Sequence, residues 1–201
     1  MNPYSDIRQE FWRTQFEAAS PMRSYLNAGK EPHKTKWEAM ANHVGLSYEQ
    51  QRRAGTFRRT MPILVLSGIW CGDCVRQGPI LQAITDASPG LELRLVEQSE
   101  DGLADELRIN GALKVPVVVL LSEDFFEISR IGDRMLSTYR KKAQRELGPT
   151  CEVGIVPPAA QELAIEIDEW LDEIERAPVS YTHLRAHETE ADLVCRLLLE
   201  K

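Results

Sequence analysis

The sequence predicts an α/β fold, a central mixed sheet flanked by helices, carrying a helical extension at its N-terminus. Two observations point there. Short apolar runs of strand type alternate with segments of helical spacing in the order β-α-β-α-β-β-α from Met61 onward. Ahead of them, residues 5–55 hold only short amphipathic stretches of helical spacing. A third feature is chemical: Cys71 and Cys74 stand at C-x-x-C spacing where the first strand hands over to a helix.

The elements follow in order. Ile7, Phe11, Trp12 and Phe16 give the first helix an apolar face. Ser20-Pro21 opens a second, which Asn27-Ala28-Gly29 closes. Trp37, Met40, Ala41 and Val44 mark a third, ended by Gly45, and Ser47-Tyr48-Glu49-Gln50 is a capping box opening a fourth. Such short helices are expected to pack on the domain that follows. Ile63–Leu66 reads as a buried strand, and Val75, Ile80, Ala83, Ile84 and Ala87 as one helix face interrupted by Pro79. Leu91, Leu93 and Leu95 alternate with polar residues, a strand with one wet side. Leu103, Ala104 and Leu107 suggest a helix, Val115–Leu121 a buried strand entered through Pro116, Phe125–Ile128 its hairpin partner, and Arg134–Leu147 a helix. Beyond a loop from Gly148-Pro149 to Pro157-Pro158, an acidic helix buries Leu163, Ile167, Trp170, Leu171 and Ile174, and Pro178 ends it. The expected organisation is a helical extension over 1–60, an α/β domain with its acidic helix over 61–177, and a tail over 178–201. That tail, with Tyr181–Thr189 and Asp192–Lys201, resembles a translated adapter segment that recurs on unrelated chains. It carries no functional weight here, and Cys195 goes with it.

Charge and composition narrow the function. At 201 residues, 43% hydrophobic, the chain can bury a substantial core. The net charge of −7 is uneven: residues 61–177 carry 21 acidic against 11 basic side chains, while residues 1–60 are basic. An acidic central domain argues against nucleic acid as the partner, and the Arg52-Arg53 and Arg58-Arg59 pairs read as solvated surface. No apolar run reaches the roughly 18 residues of a membrane span, and the N-terminus has neither the basic start nor the apolar core of a secretion signal. A cytoplasmic setting is therefore expected, where thiols stay reduced and a C-x-x-C pair serves catalysis or metal binding before structure.

A thiolate is the reactive form of cysteine, and a helix N-terminus favours an anion through its unpaired N–H groups and its dipole. Cys71 occupies that position. Structural zinc would need two further ligands at knuckle spacing. Cys151 stands alone, His33 and His43 lie in the helical extension, and the His183/His187 pair lacks a third ligand, so no metal is expected. A disulfide closing so small a loop would restrain little chain entropy. Cys151 reads as a small apolar residue, and Trp12, Trp37 and Trp170 as packing anchors.

The element order around Trp70-Cys71-Gly72-Asp73-Cys74 resembles the thioredoxin family over about residues 61–147. Pro79 stands where that family kinks its active-site helix, Val115-Pro116 matches its cis-proline loop, and Gly132 its glycine after the last strand. The resemblance implies a thiol–disulfide oxidoreductase that reduces disulfide-containing protein substrates without a bound cofactor and is recharged by a separate electron-donating reductase. Cys71 would be the nucleophile and Cys74 the resolving thiol. Gly72 would leave room for the substrate backbone, Trp70 would supply contact area, and Val115, across a cis bond to Pro116, would present its backbone to an extended substrate segment. Two departures stand out. The family's buried Asp, six residues before the nucleophile, is Val65 here, and the dipeptide between the cysteines is Gly72-Asp73. Asp73 is the candidate to take over part of the missing proton transfer, although its charge should also raise the Cys71 pKa. The competing reading is a non-catalytic binding module of the same fold, or a redox switch, whose N-terminal helices cover the cysteines or recruit a partner.

Overall fold

The computed structural model describes residues 7–98, 102–146 and 159–177. The expectations for the 147–158 loop with Cys151, for Pro178 and for the tail with Cys195 lie outside the described residues.

Among the described residues, four strands form one mixed sheet in the order β2-β1-β3-β4: β1 (Met61–Ser67), β2 (Leu91–Glu97), β3 (Val117–Leu121) and β4 (Glu127–Gly132). β1 runs parallel to β2, from Met61 opposite Leu91 to Ser67 opposite Glu97. β3 is antiparallel to both β1 and β4. β1 and β3 are buried along their whole length, which requires cover on both faces of the sheet. β2, at an edge, keeps the alternation its sequence shows: Leu91, Leu93 and Leu95 are buried while Glu92 is exposed.

The helices among the described residues are α1 (Gln9–Ala18), α2 (Met22–Asn27), α3 (Glu31–Ala41), α4 (Tyr48–Ala54), α5 (Gly72–Asp86), α6 (Gly102–Glu106), α7 (Leu136–Glu146) and α8, residues 160–177. The four N-terminal helices pack on the sheet domain, as their shortness predicts. Trp12, Phe16, Tyr25 and Trp37 are all in the core. Ser20 exchanges two backbone hydrogen bonds with Leu95 (3.0 and 2.7 Å), pairing the chain between α1 and α2 with the outer edge of β2. That contact also covers a sheet edge that would otherwise present unpaired groups. The capping box at α4 is present in full: Ser47 Oγ accepts from Gln50 N–H, and the Gln50 side chain accepts from Ser47 N–H.

All five apolar residues expected on α8 are buried. Polar contacts fix its register: Gln50 donates to Asp168 and to the Ala164 carbonyl, Arg53 reaches Asp172 and Glu175, and Ser137 donates to Glu169. Glu166, itself buried, is held by Arg76 at 2.7 Å and by Thr138. These contacts tie α8 to α4, α5 and α7.

Three expectations shift. Ile7 lies before α1 and is 95% exposed, so it takes no part in the apolar face. The hairpin strand begins at Glu127, because Phe125 adopts a left-handed conformation (φ 64°) in a turn whose N–H groups are capped by Ser122 Oγ. β3 begins at Val117, past Pro116, which has no N–H to give a ladder.

Gly78, in α5, admits the Trp37 ring of α3. A Cβ at Gly78 would lie 2.1 Å from Trp37 Cζ3, and Trp37 is itself almost fully buried. Gly78→Ala is expected to destabilise the fold by about 1–3 kcal/mol through overpacking, read as a lower midpoint in denaturant unfolding with an unchanged slope.

Candidate active site

The dithiol sits at the junction of β1 and α5. Cys71 is the N-cap of α5 in extended conformation (φ −79°, ψ 128°), so its side chain faces the unpaired N–H groups of the first turn. It is half-buried, and the neighbouring Trp70 is 56% exposed. Cys74, one turn on, is 1% exposed and accepts a hydrogen bond from Gly68 N–H at 3.3 Å. Both are free thiols.

These surroundings pull the two sulfurs apart electrostatically. The Cys74 thiol and the N–H groups of Cys74 and Asp73 stabilise the Cys71 thiolate against the cost of burial and the Asp73 charge, and bring its pKa down from 9.0 to about 6. Burial first, then the anionic neighbour Cys71, pushes Cys74 up. A thiolate near neutrality thus stands beside a protonated partner.

The Val115–Pro116 bond is cis, and the Val115 carbonyl lies 3.5 Å from Cys71 Sγ. Val115 and Pro116 are buried, whereas Gly72 is exposed with open space where a Cβ would stand. Trp70, Cys71, Gly72, Asp73 and Cys74 are consecutive, and the contact of Cys71 Sγ with the Val115 carbonyl brings Val115 and Pro116 to that segment. Asp73 turns to Arg134, whose guanidinium grips both carboxylate oxygens at 3.1 and 2.6 Å. Val65, in place of the family's Asp, is buried and flanked by Leu95 and Val118 across the sheet.

Sequence reading missed the groups that brace the loop between β1 and α5. Trp37 Nε1–H donates to the Ile69 carbonyl at 2.9 Å, and Ile69 N–H donates to Glu97 at 3.1 Å. Tyr25 stands edge-on to Trp37 (ring centroids 5.9 Å) and donates its hydroxyl hydrogen to Glu97. These residues come from three elements, and no spacing in the sequence links them. Among the described residues, no group of three or more His, Cys, Asp and Glu is placed to hold a metal ion, and no helix is long and apolar enough to cross a membrane.

A family model described as Thioredoxin matches residues 19–137. The chain belongs to the thioredoxin family, and α2–α4 fall inside the matched region. Two solved structures share the fold. One is a protein of unknown function from Pseudomonas aeruginosa, with TM-score 0.65, 22% identity, and 81% of this chain and 96% of that one covered. The other is an HIV epitope-scaffold, with TM-score 0.65, 20% identity, and 82% and 98% covered. No curated protein matches the sequence.

Alkylation of Cys71 by iodoacetamide is expected to accelerate as pH rises through about 6 and to level off above it, instead of rising near 9.0 as for an ordinary thiol. A lowered thiol pKa adds stability above its ordinary value, and this is lost as pH falls through about 6, so reduced wild type should gain on Cys71→Ser across that window. Arg134→Ala leaves the Asp73 charge uncompensated beside Cys71 and should move the alkylation midpoint upward, while Asp73→Asn should move it down.

Proposed function

We propose that the chain is a thiol–disulfide oxidoreductase that reduces protein disulfides. The observation that carries this reading is the asymmetry of the pair: an accessible thiolate at a helix N-terminus backed by a buried, protonated thiol. Cys71 attacks one sulfur of a substrate disulfide, forming a mixed disulfide and releasing the other sulfur as a thiolate, which takes up a proton. Cys74 loses its proton and attacks Cys71 Sγ, releasing the second substrate thiol and leaving a Cys71–Cys74 disulfide. Two electrons pass from the dithiol to the substrate, so no cofactor is required. A separate reductase restores the dithiol, and the cytoplasm is the compartment where it stays reduced.

The substrate surface consists of Trp70, Gly72 and the backbone at Val115-Pro116. Trp70 contributes exposed aromatic area, Gly72 opens a path for a peptide backbone, and the Val115 carbonyl borders the attacking sulfur. Asp73, gripped by Arg134, sets the charge facing Cys71. The N-terminal helices contact Ile69 through Trp37 and leave Cys71 half-exposed, which favours catalysis over a module whose cysteines are covered.

In an insulin-reduction assay with dithiothreitol as electron source, wild type should turn over and Cys71→Ser should fall to the uncatalysed rate. Cys74→Ser should instead accumulate mixed disulfides, visible on non-reducing gels. Turnover in neither wild type nor Cys71→Ser would point to the binding-module reading.

A further inference from the structure

Resolution of the mixed disulfide requires Cys74, almost fully buried, to release a proton, and the family's Asp is absent from β1. The face of β1 that bears Val65 bears Ser67 two residues on, because strand side chains alternate. Ser67 Oγ is completely buried with no hydrogen-bond partner, and the next residue, Gly68, gives its N–H to the Cys74 sulfur at 3.3 Å. Ser67 also favours ionisation of both the Cys74 thiol and the Tyr25 hydroxyl. Tyr25 donates to Glu97, which sits opposite Ser67 in the β1–β2 register and is exposed to solvent.

We propose that Ser67, Tyr25 and Glu97 form the path by which the Cys74 proton reaches solvent during resolution. This rests on the oxidoreductase reading. The Cys74 S–H proton passes to the Ser67 oxygen as the Ser67 hydrogen moves to the Tyr25 oxygen and the Tyr25 hydrogen to a Glu97 carboxylate oxygen. The Cys74 thiolate then attacks Cys71 Sγ, the Cys71–substrate S–S bond breaks, and the departing thiolate takes a proton from Glu97 or water. Both hydroxyls end the step neutral. That suits Tyr25, whose ionisation is opposed by burial and by the Glu97 carboxylate. On this path Ser67 takes the proton from the reacting thiol, whereas Tyr25 and Glu97 act through it as positioning residues. The titratable and charged groups around the path are Tyr25 from α2, Glu97 from β2, and Cys71, Asp73 and Cys74 from α5, with Arg134 on Asp73.

The two steps separate in single-turnover reaction of excess protein with 5,5′-dithiobis(2-nitrobenzoate), in a Cys151→Ser, Cys195→Ser background. Attack by Cys71 releases one thionitrobenzoate and resolution by Cys74 the second. Glu97→Gln, which keeps an oxygen to accept from Ile69 N–H, and Ser67→Ala should leave the first phase at the wild-type rate and slow the second at neutral pH by on the order of 10²-fold. The slowed phase should rise steadily with pH as hydroxide replaces the carboxylate. Tyr25→Phe, which keeps the contact with Trp37, should behave alike, and Glu97→Asp should recover part of the rate. A second phase of wild-type rate and pH dependence in Glu97→Gln overturns the path, as does a slowed second phase in Asp73→Asn alone. Failure of the underlying reading looks different: wild type itself would lack a second phase, or Cys74→Ser would keep it.

Discussion

The site depends on one short stretch of backbone being held from two sides. Between β1 and α5 the chain must turn so that Cys71 meets the open end of the helix, and both polar groups of Ile69 are occupied there. Its carbonyl takes the Trp37 indole hydrogen, and its N–H reaches Glu97. Such bonds contribute only about 1 kcal/mol each, but they come from α3 and β2, two elements already anchored in the core. The loop is thereby fixed relative to the sheet and to the N-terminal helices at once. The hydrogen bond from Gly68 N–H to Cys74 Sγ belongs to the same arrangement and carries the constraint to the second sulfur.

Electrostatics at the dithiol follow from that placement. Held at the helix end, Cys71 gathers hydrogen-bond donors, while Cys74 is turned inward where a charge is costly. Asp73 opposes the Cys71 thiolate, and Arg134 pairs with that charge through a bidentate grip. The charged pair lets an acidic residue occupy the first turn of α5 without cancelling the helix-end effect.

Much of the fold was legible because the deciding signals are local. Alternation at Leu91, Leu93 and Leu95, the capping box at Ser47 and the apolar stripe from Leu163 to Ile174 each need only a few neighbouring residues to be read. The C-x-x-C pair was legible for the same reason, and the family match supports the fold drawn from it. The hairpin strand was placed two residues early because Phe125 and Phe126 carry strand propensity, while the turn conformation at Phe125 is set by hydrogen bonds to Ser122. The groups behind Cys74 were not legible. Tyr25, Ser67 and Glu97 lie far apart in sequence, and only the β1–β2 register and the docking of α2 bring them together. Arg134 stands in the sequence only as the start of a helix, and its bond to Asp73 depends on the turn after β4.

The close approach of Trp37 to Gly78 ties packing to chemistry in heredity as well as in space. The indole occupies the volume that a side chain at position 78 would fill, so any enlargement there becomes tolerable only alongside a smaller residue at 37. That exchange would also remove the donor that holds the Ile69 carbonyl. The two positions can therefore drift only as a pair, and relatives that part with one are bound to anchor the dithiol loop by some other means.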